Sequence, residues 1–376
     1  MSQNTTLELS ADQQRAFDHI DHWFFKKSSP FLTLGGLAGT GKSTIAAELA
    51  RRLEDVGQRT VFSAPTGKAS AVLRAKGAKQ AYTLHSLLYR MAGTTEDDEG
   101  NKQPVFVDKH WEKYCDLLVV DEASMVTTRL FRDILERRVR VLFIGDHGQL
   151  PPVGGNPRIM EKAAVKLEKI HRQAAGSGIL RIAHAVRNGH PVTRDFMSDD
   201  VNVGRVLSLE SAARKAKELN VDQVIVATNN ERERFNRFWR GPELENRPPT
   251  VGERIMCLLN NKSDNVWNGQ TYKVKRVHKI VESTGIFDLE SEDDGSTRRR
   301  HHVFLPAFHD RKLEDRDLLK NGVNLFTFAY AATCHKLQGS QYGHVFVIDN
   351  PVMEPQRWRY TAFTRAEHKL TVARYA

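Results

Sequence analysis

At 376 residues, with 40% hydrophobic and 27% charged residues, the chain is long enough for two or three compact domains. Its mean hydropathy of −0.49 and the absence of any long apolar run exclude a helical membrane span. Lysine and arginine outnumber aspartate and glutamate 56 to 46, a net charge of +10 that favours a polyanionic partner without naming one.

Taken in chain order, the polar start from Met1 to Thr6 carries no targeting pattern, so the chain is expected to stay in the compartment where it is made, cytoplasmic and neither secreted nor membrane-bound. Residues 31–34, 60–64, 117–120 and 139–144 are apolar, mostly without alternation, as strands buried on both faces of a parallel sheet read. Amphipathic stretches such as 43–53 lie between them, predicting a doubly wound α/β domain. Residues 93–100 are polar and acidic, and Pro104-Val105-Phe106-Val107 comes after them. A hairpin with an acidic tip and an apolar return strand fits this composition, as an insertion at about 89–110. Cys115, Cys257 and Cys334 are too widely spaced for a zinc site or disulfide framework and read as small buried hydrophobes.

In the second half, similar runs at 224–227, 345–348 and 370–373 predict another α/β domain. From about 264 to 325 the texture changes. Residues 269–277 alternate like an antiparallel strand, and acidic Glu292, Asp293 and Asp294 are separated from basic Arg298, Arg299 and Arg300 by Gly295. The predicted organisation is therefore 1–170, then 171–263 with 326–376, with a β-rich module inserted at 264–325. The charge clusters fit either a solvated hairpin or a DNA-contacting edge.

The strongest chemical signal is Gly36-Leu37-Ala38-Gly39-Thr40-Gly41-Lys42-Ser43, a P-loop pattern placed after a strand and before a helix. Its glycines let the backbone wrap phosphates, and the free N–H groups at the helix start favour negative charge. Lys42 is expected to reach the β- and γ-phosphates and Ser43 to ligate Mg²⁺, with Thr44 completing the loop. Asp121-Glu122 ends an apolar strand on the crevice side of such a sheet, Asp121 to hold Mg²⁺ and Glu122 to orient or deprotonate water. Gln149, after another strand, fits a γ-phosphate sensor or a plain turn, and Pro151-Pro152 stiffens the exit towards the next domain.

With these come Leu9-Ser10-Ala11-Asp12-Gln13, Ala64-Pro65-Thr66-Gly67-Lys68-Ala69, Thr83-Leu84-His85-Ser86-Leu87 and His171-Arg172-Gln173. Then come Ala227-Thr228-Asn229, the run from Ala332 through Thr333-Cys334-His335-Lys336 to Gln338-Gly339-Ser340, and Tyr360-Thr361-Ala362-Phe363-Thr364-Arg365. In that order the chain resembles superfamily-1 DNA helicases of the RecD and Dda branch over nearly its whole length. The resemblance implies two RecA-like domains with ATP in the cleft between them and an SH3-like inserted module. It also implies 5′ to 3′ movement along single-stranded DNA. It assigns Gln13 to the adenine side, Gly339 to the nucleotide, and Arg172 and Arg365 to the γ-phosphate. A DNA path would be lined by Pro65, Thr66, Lys68 and His85, by Pro152 and Val153, and by Asn229, Thr333, His335 and Lys336. His335 as a core histidine is the alternative. Phe106 would be the aromatic residue of a strand-separating pin, or simply an anchor of its hairpin. The N-terminal region that RecD proteins carry ahead of the glutamine segment is not in this sequence.

The implied cofactors are ATP and Mg²⁺, and the implied partners single-stranded and forked duplex DNA, with a single-strand-binding or other replication protein besides. A monomeric helicase is expected. An ATPase translocase that displaces bound proteins, a DNA-binding P-loop regulator and an RNA substrate are the alternatives.

Overall fold

A computed structural model describes residues 9–26, 28–96, 102–152, 154–167, 169, 176–259, 261, 264, 266, 268–292, 295–309 and 322–375, the side chains of 68, 75, 91, 94–96 and 102–106 excepted. The chain forms two compact units, residues 1–180 and 181–376. No described helix is long and apolar enough to cross a membrane.

In the first unit, α1 (Ala11–Lys26) begins at a reciprocal cap. Gln13 N donates to Ser10 Oγ at 3.3 Å, and Ser10 N donates back to Gln13 Oε1 at 3.0 Å. Ala16, Phe17, Ile20, Trp23 and Phe24 recur at helical spacing and are buried. The helix packs against α2 (Lys42–Asp55) and a six-stranded, wholly parallel sheet ordered β3-β2-β6-β7-β1-β8. Its strands are β1 (Phe31–Gly36), β2 (Thr60–Ala64), β3 (Ala81–Thr83), β6 (Leu117–Val120), β7 (Arg140–Gly145) and β8 (Val165–Leu167). Every residue of β6 is buried, as the unalternating apolar runs anticipate.

Outside this sheet, β4 (Tyr89–Glu96) and β5 (Lys102–Asp108) pair as an antiparallel hairpin. Its first strand continues to Glu96, through residues that read as a turn in the sequence, because cross-strand pairing outweighs their weak strand propensity. The hairpin's root is tied down on both strands beside α5 (Thr128–Leu135). The Tyr89 hydroxyl donates to Asp133, and Arg137 pairs with Asp108 at 2.7 Å.

The second unit has a parallel sheet ordered β16-β10-β17-β18-β9, with β9 (Val201–Val206), β10 (Gln223–Val226), β16 (Ala331–Thr333), β17 (Tyr342–Ile348) and β18 (Ala366–Tyr375). Its described helices are α6 (Gly178–Arg187), α7 (Leu209–Glu218), α8 (Asn229–Arg240) and α9 (Pro355–Phe363). Together the units are a mixed α/β fold built on two RecA-like parallel sheets. A closed barrel, β11 (Arg254–Cys257), β12 (Thr271–Val281), β13 (Thr284–Ser291), β14 (Thr297–Phe304) and β15 (Val323–Phe328), is the inserted β-rich module.

This barrel reaches beyond the expected 264–325 at both ends. Arg254–Cys257, an arginine followed by three apolar residues, is too short for periodicity to assign to either sheet, yet it pairs antiparallel with Thr271 to Lys273 and with Phe326 to Phe328. Arg240 and Glu253 clamp the junction with a buried ion pair at 2.7 Å, and the Tyr330 hydroxyl donates to Glu253 at 3.1 Å. The three cysteines are buried free thiols, each pushed by burial up to about 12.

Candidate functional site

The parallel register of the first sheet brings the ends of its strands level. Ala64 pairs with Thr83, Ser63 with Val120, Val120 with Phe143, and Thr33 with Phe143. The loops after β2, β3, β6, β7 and β1 therefore all leave along one carboxyl edge, where open parallel sheets collect their ligands.

The loop after β1 is the P-loop. Gly39 and Gly41 have φ of 81° and 80°, a left-handed backbone that glycine takes without a Cβ clash. At Gly36 a Cβ would stand 2.6 Å from Thr40 Oγ1, whose hydroxyl closes the loop by donating to Leu37 O at 2.9 Å. Lys42 folds over this turn, donating from Nζ to Gly36 O at 2.8 Å and Leu37 O at 2.9 Å. Gly41 caps α2 without a side chain, and Ser43 and Thr44 sit in its half-buried first turn. Ala38 is half-buried beside them.

Asp121 and Ser43 line one cavity of about 300 Å³ that runs down between α2 and α3 (Gly67–Ala75). Burial pushes the Asp121 carboxyl up, while the Glu122 N–H, at 2.8 Å, and the Lys42 charge oppose this. A hydroxyl and a desolvated carboxylate at one cavity are hard oxygen donors, which fits Mg²⁺. Glu122 itself has φ 51° and ψ 40°, a left-handed conformation costly for a side-chain-bearing residue and concentrated at working sites. Gln149 is 7% exposed, and its Oε1 is buried without a hydrogen-bond partner among the described residues, an acceptor that an incoming donor would satisfy. Gln13 is also buried, with its oxygen in the α1 cap.

The first unit's DNA candidates stand on the same edge, at its other side. Pro65 and Thr66 come directly after β2, and the Thr66 hydroxyl caps α3 by accepting from Ala69 N at 3.2 Å. His85 comes after β3 and is exposed, with its ring 5.9 Å from Tyr89. Pro152 is half-buried after β7. Val153, Arg172 and the side chains of Lys68 and Phe106 lie outside the described residues.

The second unit is arranged differently. Val226 pairs with Thr333, and Ile225 with Val347, so β16, β10 and β17 end level, and Thr333, Asn229 and the loop after Ile348 share the carboxyl edge. His335 is exposed there, which excludes the core-histidine alternative. Lys336 donates to Asn268 Oδ1, on the barrel, at 2.6 Å. Gly339 (φ 75°) and Ser340 instead precede β17, at the opposite edge. Arg365 lies with them: Tyr342 pairs with Ala366, and Tyr342 N donates to Arg365 O at 2.9 Å. Arg365 is 4% exposed. It donates to Thr361 O at 3.1 Å, Ser340 O at 3.2 Å and Thr364 Oγ1 at 3.2 Å.

Several residues that shape these edges carry no signal of their own in the sequence motifs above. Asp146 is buried and accepts from Gly148 N at 2.8 Å, fixing the turn before Gln149. Glu231 accepts from Ala227 N and Thr228 N, both at 3.2 Å, and from Asn350 Nδ2 at 2.9 Å, joining the loops after β10 and β17. A capping-box reading of Thr228-Asn229-Asn230-Glu231 would have found it.

The sequence pattern of the family described as "AAA domain" matches residues 8–207, and that described as "UvrD-like helicase C-terminal domain" matches residues 328–373. The chain is 26% identical to the ATP-dependent RecD2 DNA helicase of Deinococcus radiodurans over 96% of its own length and 48% of that protein. It is 27% identical to the ATP-dependent DNA helicase Dda of phage T4 over 74% of its length and 66% of that protein. It thus spans about half of the first of these relatives. Bacteroides Pif1 bound to single-stranded DNA superposes with a TM-score of 0.59 at 20% identity, covering 97% of this chain and 92% of that one, a likeness of fold.

Proposed function

The chain belongs to the AAA-domain family, in the RecD/Dda-like branch of superfamily-1 helicases, and from that premise we propose that it is an ATP-dependent DNA helicase moving 5′ to 3′ on single-stranded DNA. The observation that carries this reading is the shared edge of the first sheet, where P-loop, Asp121, Glu122 and Gln149 stand beside Thr66 and His85.

In this reading, Lys42 exchanges its loop carbonyls for the phosphates of ATP, neutralising charge where the phosphoryl group transfers. Ser43 and Asp121 would hold Mg²⁺, which would supply further charge neutralisation at the phosphates. Glu122 takes the proton of the attacking water as its oxygen bonds to the γ-phosphorus and the bond to the ADP oxygen breaks. Gln149 Oε1 accepts from that water, and Gln13 recognises the adenine. Arg172 and Arg365 stabilise the charge gained by the transferring group, for which Arg365 must release the carbonyls it holds.

DNA is gripped through phosphates by Thr66, Lys68 and His85, with Pro65 beside them on the path, and by Asn229, Thr333, His335 and Lys336. Such contacts are blind to sequence. Pro152 and Val153 face the bases. Phe106 is the pin residue, on a hairpin whose root is held by Tyr89 and Arg137. The protein works as a monomer, on forked DNA and beside a single-strand-binding protein, in whichever compartment holds that DNA.

The test is ATP turnover with and without single-stranded DNA or RNA, together with unwinding of duplexes carrying a 5′ or a 3′ tail. Stimulation by DNA above RNA and unwinding from the 5′ tail alone are expected. Turnover indifferent to nucleic acid, or unwinding from the 3′ tail, overturns the reading.

A further inference from the structure

The loop from β17 to α9 exposes two large apolar side chains, Val352 at 70% and Met353 at 76%. Isolated exposed apolar residues need no explanation, but these are adjacent and firmly mounted. On one side, Arg359 holds the buried carboxylate of Asp349 at 2.7 Å, and Asn350 is bonded to Glu231. On the other side, Glu354 takes φ 41° and ψ 59°, a left-handed conformation unfavourable for its side chain, and pairs with Arg357 at 3.2 Å. A loop fixed at both ends, with an apolar tip, presents that tip to something.

Strand order says what lies beside it. The loop leaves β17 level with Val226 of the neighbouring β10 and with Thr333 of β16, one strand further, and the loops after these strands carry Asn229 and His335. His335, though exposed overall, is packed closely enough that burial lowers its pKa, and the nearby Glu354 carboxylate opposes this shift. Val352 and Met353 therefore border the polar groups assigned above to DNA phosphates. A phosphate gains little from two apolar side chains, whereas the face or edge of an unstacked nucleobase can pack on them.

We propose that Val352 and Met353 form an apolar contact for the bases of single-stranded DNA on the second unit, an inference that rests on the helicase reading. The phosphate-facing residues hold the backbone, and this tip meets a base whatever its identity. As strand-independent packing it adds affinity without adding salt dependence.

The experiment compares a homothymidine oligonucleotide with an abasic strand of the same length, for the unaltered protein and for the Val352→Ser, Met353→Ser double variant. The unaltered protein should prefer the base-bearing strand. The variant should bind it roughly fivefold more weakly, a loss smaller than that of an aromatic platform, and bind the abasic strand as before. The slope of affinity against salt should stay the same. Equal losses on both strands, or no loss on either, overturn the contact. Failure of the unaltered protein to bind any single strand instead overturns the helicase reading. Both side chains are solvent-facing, so the melting midpoint should hold; if the double variant is unstable, Met353→Gln alone, read in the same two-strand comparison, decides.

Discussion

The two parallel sheets are used in opposite ways. In the first unit, nucleotide and DNA candidates stand side by side on one carboxyl edge, with P-loop, Asp121 and Gln149 after β1, β6 and β7, and Thr66 and His85 after β2 and β3. In the second unit they are parted. Asn229, Thr333 and His335 occupy the carboxyl edge, while Gly339 and Arg365 lie at the other end of β17, six strand residues or roughly 20 Å away. The segment from Thr333 to Ser340, and the helix α9 together with the residues that flank it, each run from one edge to the other. The two ends of the second sheet are thus joined through a few continuous residues, whereas in the first unit the nucleotide and DNA candidates are neighbours.

Substitutions at the nucleotide residues of each unit should sharpen this contrast. Lys42→Ala should reduce DNA-stimulated turnover by about 10³-fold or more while leaving the melting midpoint unchanged, because among the described residues Lys42 bonds to loop carbonyls at the rim. Arg365→Ala should cost about 10³-fold in turnover, the scale of arginine fingers, with nucleotide affinity far less affected. Unlike Lys42, it should also cost about 1–3 kcal/mol of stability, since Thr361 O and Ser340 O lose a buried donor. Turnover and calorimetry on both variants check the pair, and a stable, fully active Arg365→Ala would break the contrast.

A smaller effect is expected where the carboxyl edge of the second unit is held together. Glu231→Ala removes the acceptor shared by Ala227, Thr228 and Asn350 and should cost about 1 kcal/mol of stability, as a lost helix cap does. It should also weaken single-strand binding several-fold, measured by fluorescence anisotropy. Unaltered binding would mean that the loops after β10 and β17 act separately. The smallest effect belongs to Phe106→Ala on the hairpin, which should leave DNA-stimulated turnover near normal while unwinding of a tailed duplex falls. A parallel fall in both would assign strand separation elsewhere.

Legibility from sequence depends on which edge a residue serves. The carboxyl edge of the first sheet reads directly, because a mostly apolar strand with Gly36 or Asp121-Glu122 at its end carries its own punctuation. Short strands are not legible. β3, β8 and β16 are three residues each, and β11 reads as part of the α/β domain although the barrel claims it. The separation of His335 from Arg365 is hidden as well. Both sit in motif-like segments of similar composition, and only the register of β17 against β10 and β18 shows that they face opposite ends. Likewise the burial of Arg365 is a matter of packing by Thr361, Ser340 and Thr364, which no spacing announces.

If Thr333 to Ser340 links the two ends of the second sheet, then Gln338, 3% exposed in the middle of that segment, is where the link can be cut. The most direct measurement is the ratio of ATP turnover with saturating single-stranded DNA to turnover without it, for Gln338→Ala. That ratio should fall towards one while the affinity for the strand stays close to that of the unaltered protein, because the grip remains and its message does not arrive. Stimulation that persists in full, or a ratio that falls only in step with lost DNA affinity, would contradict it.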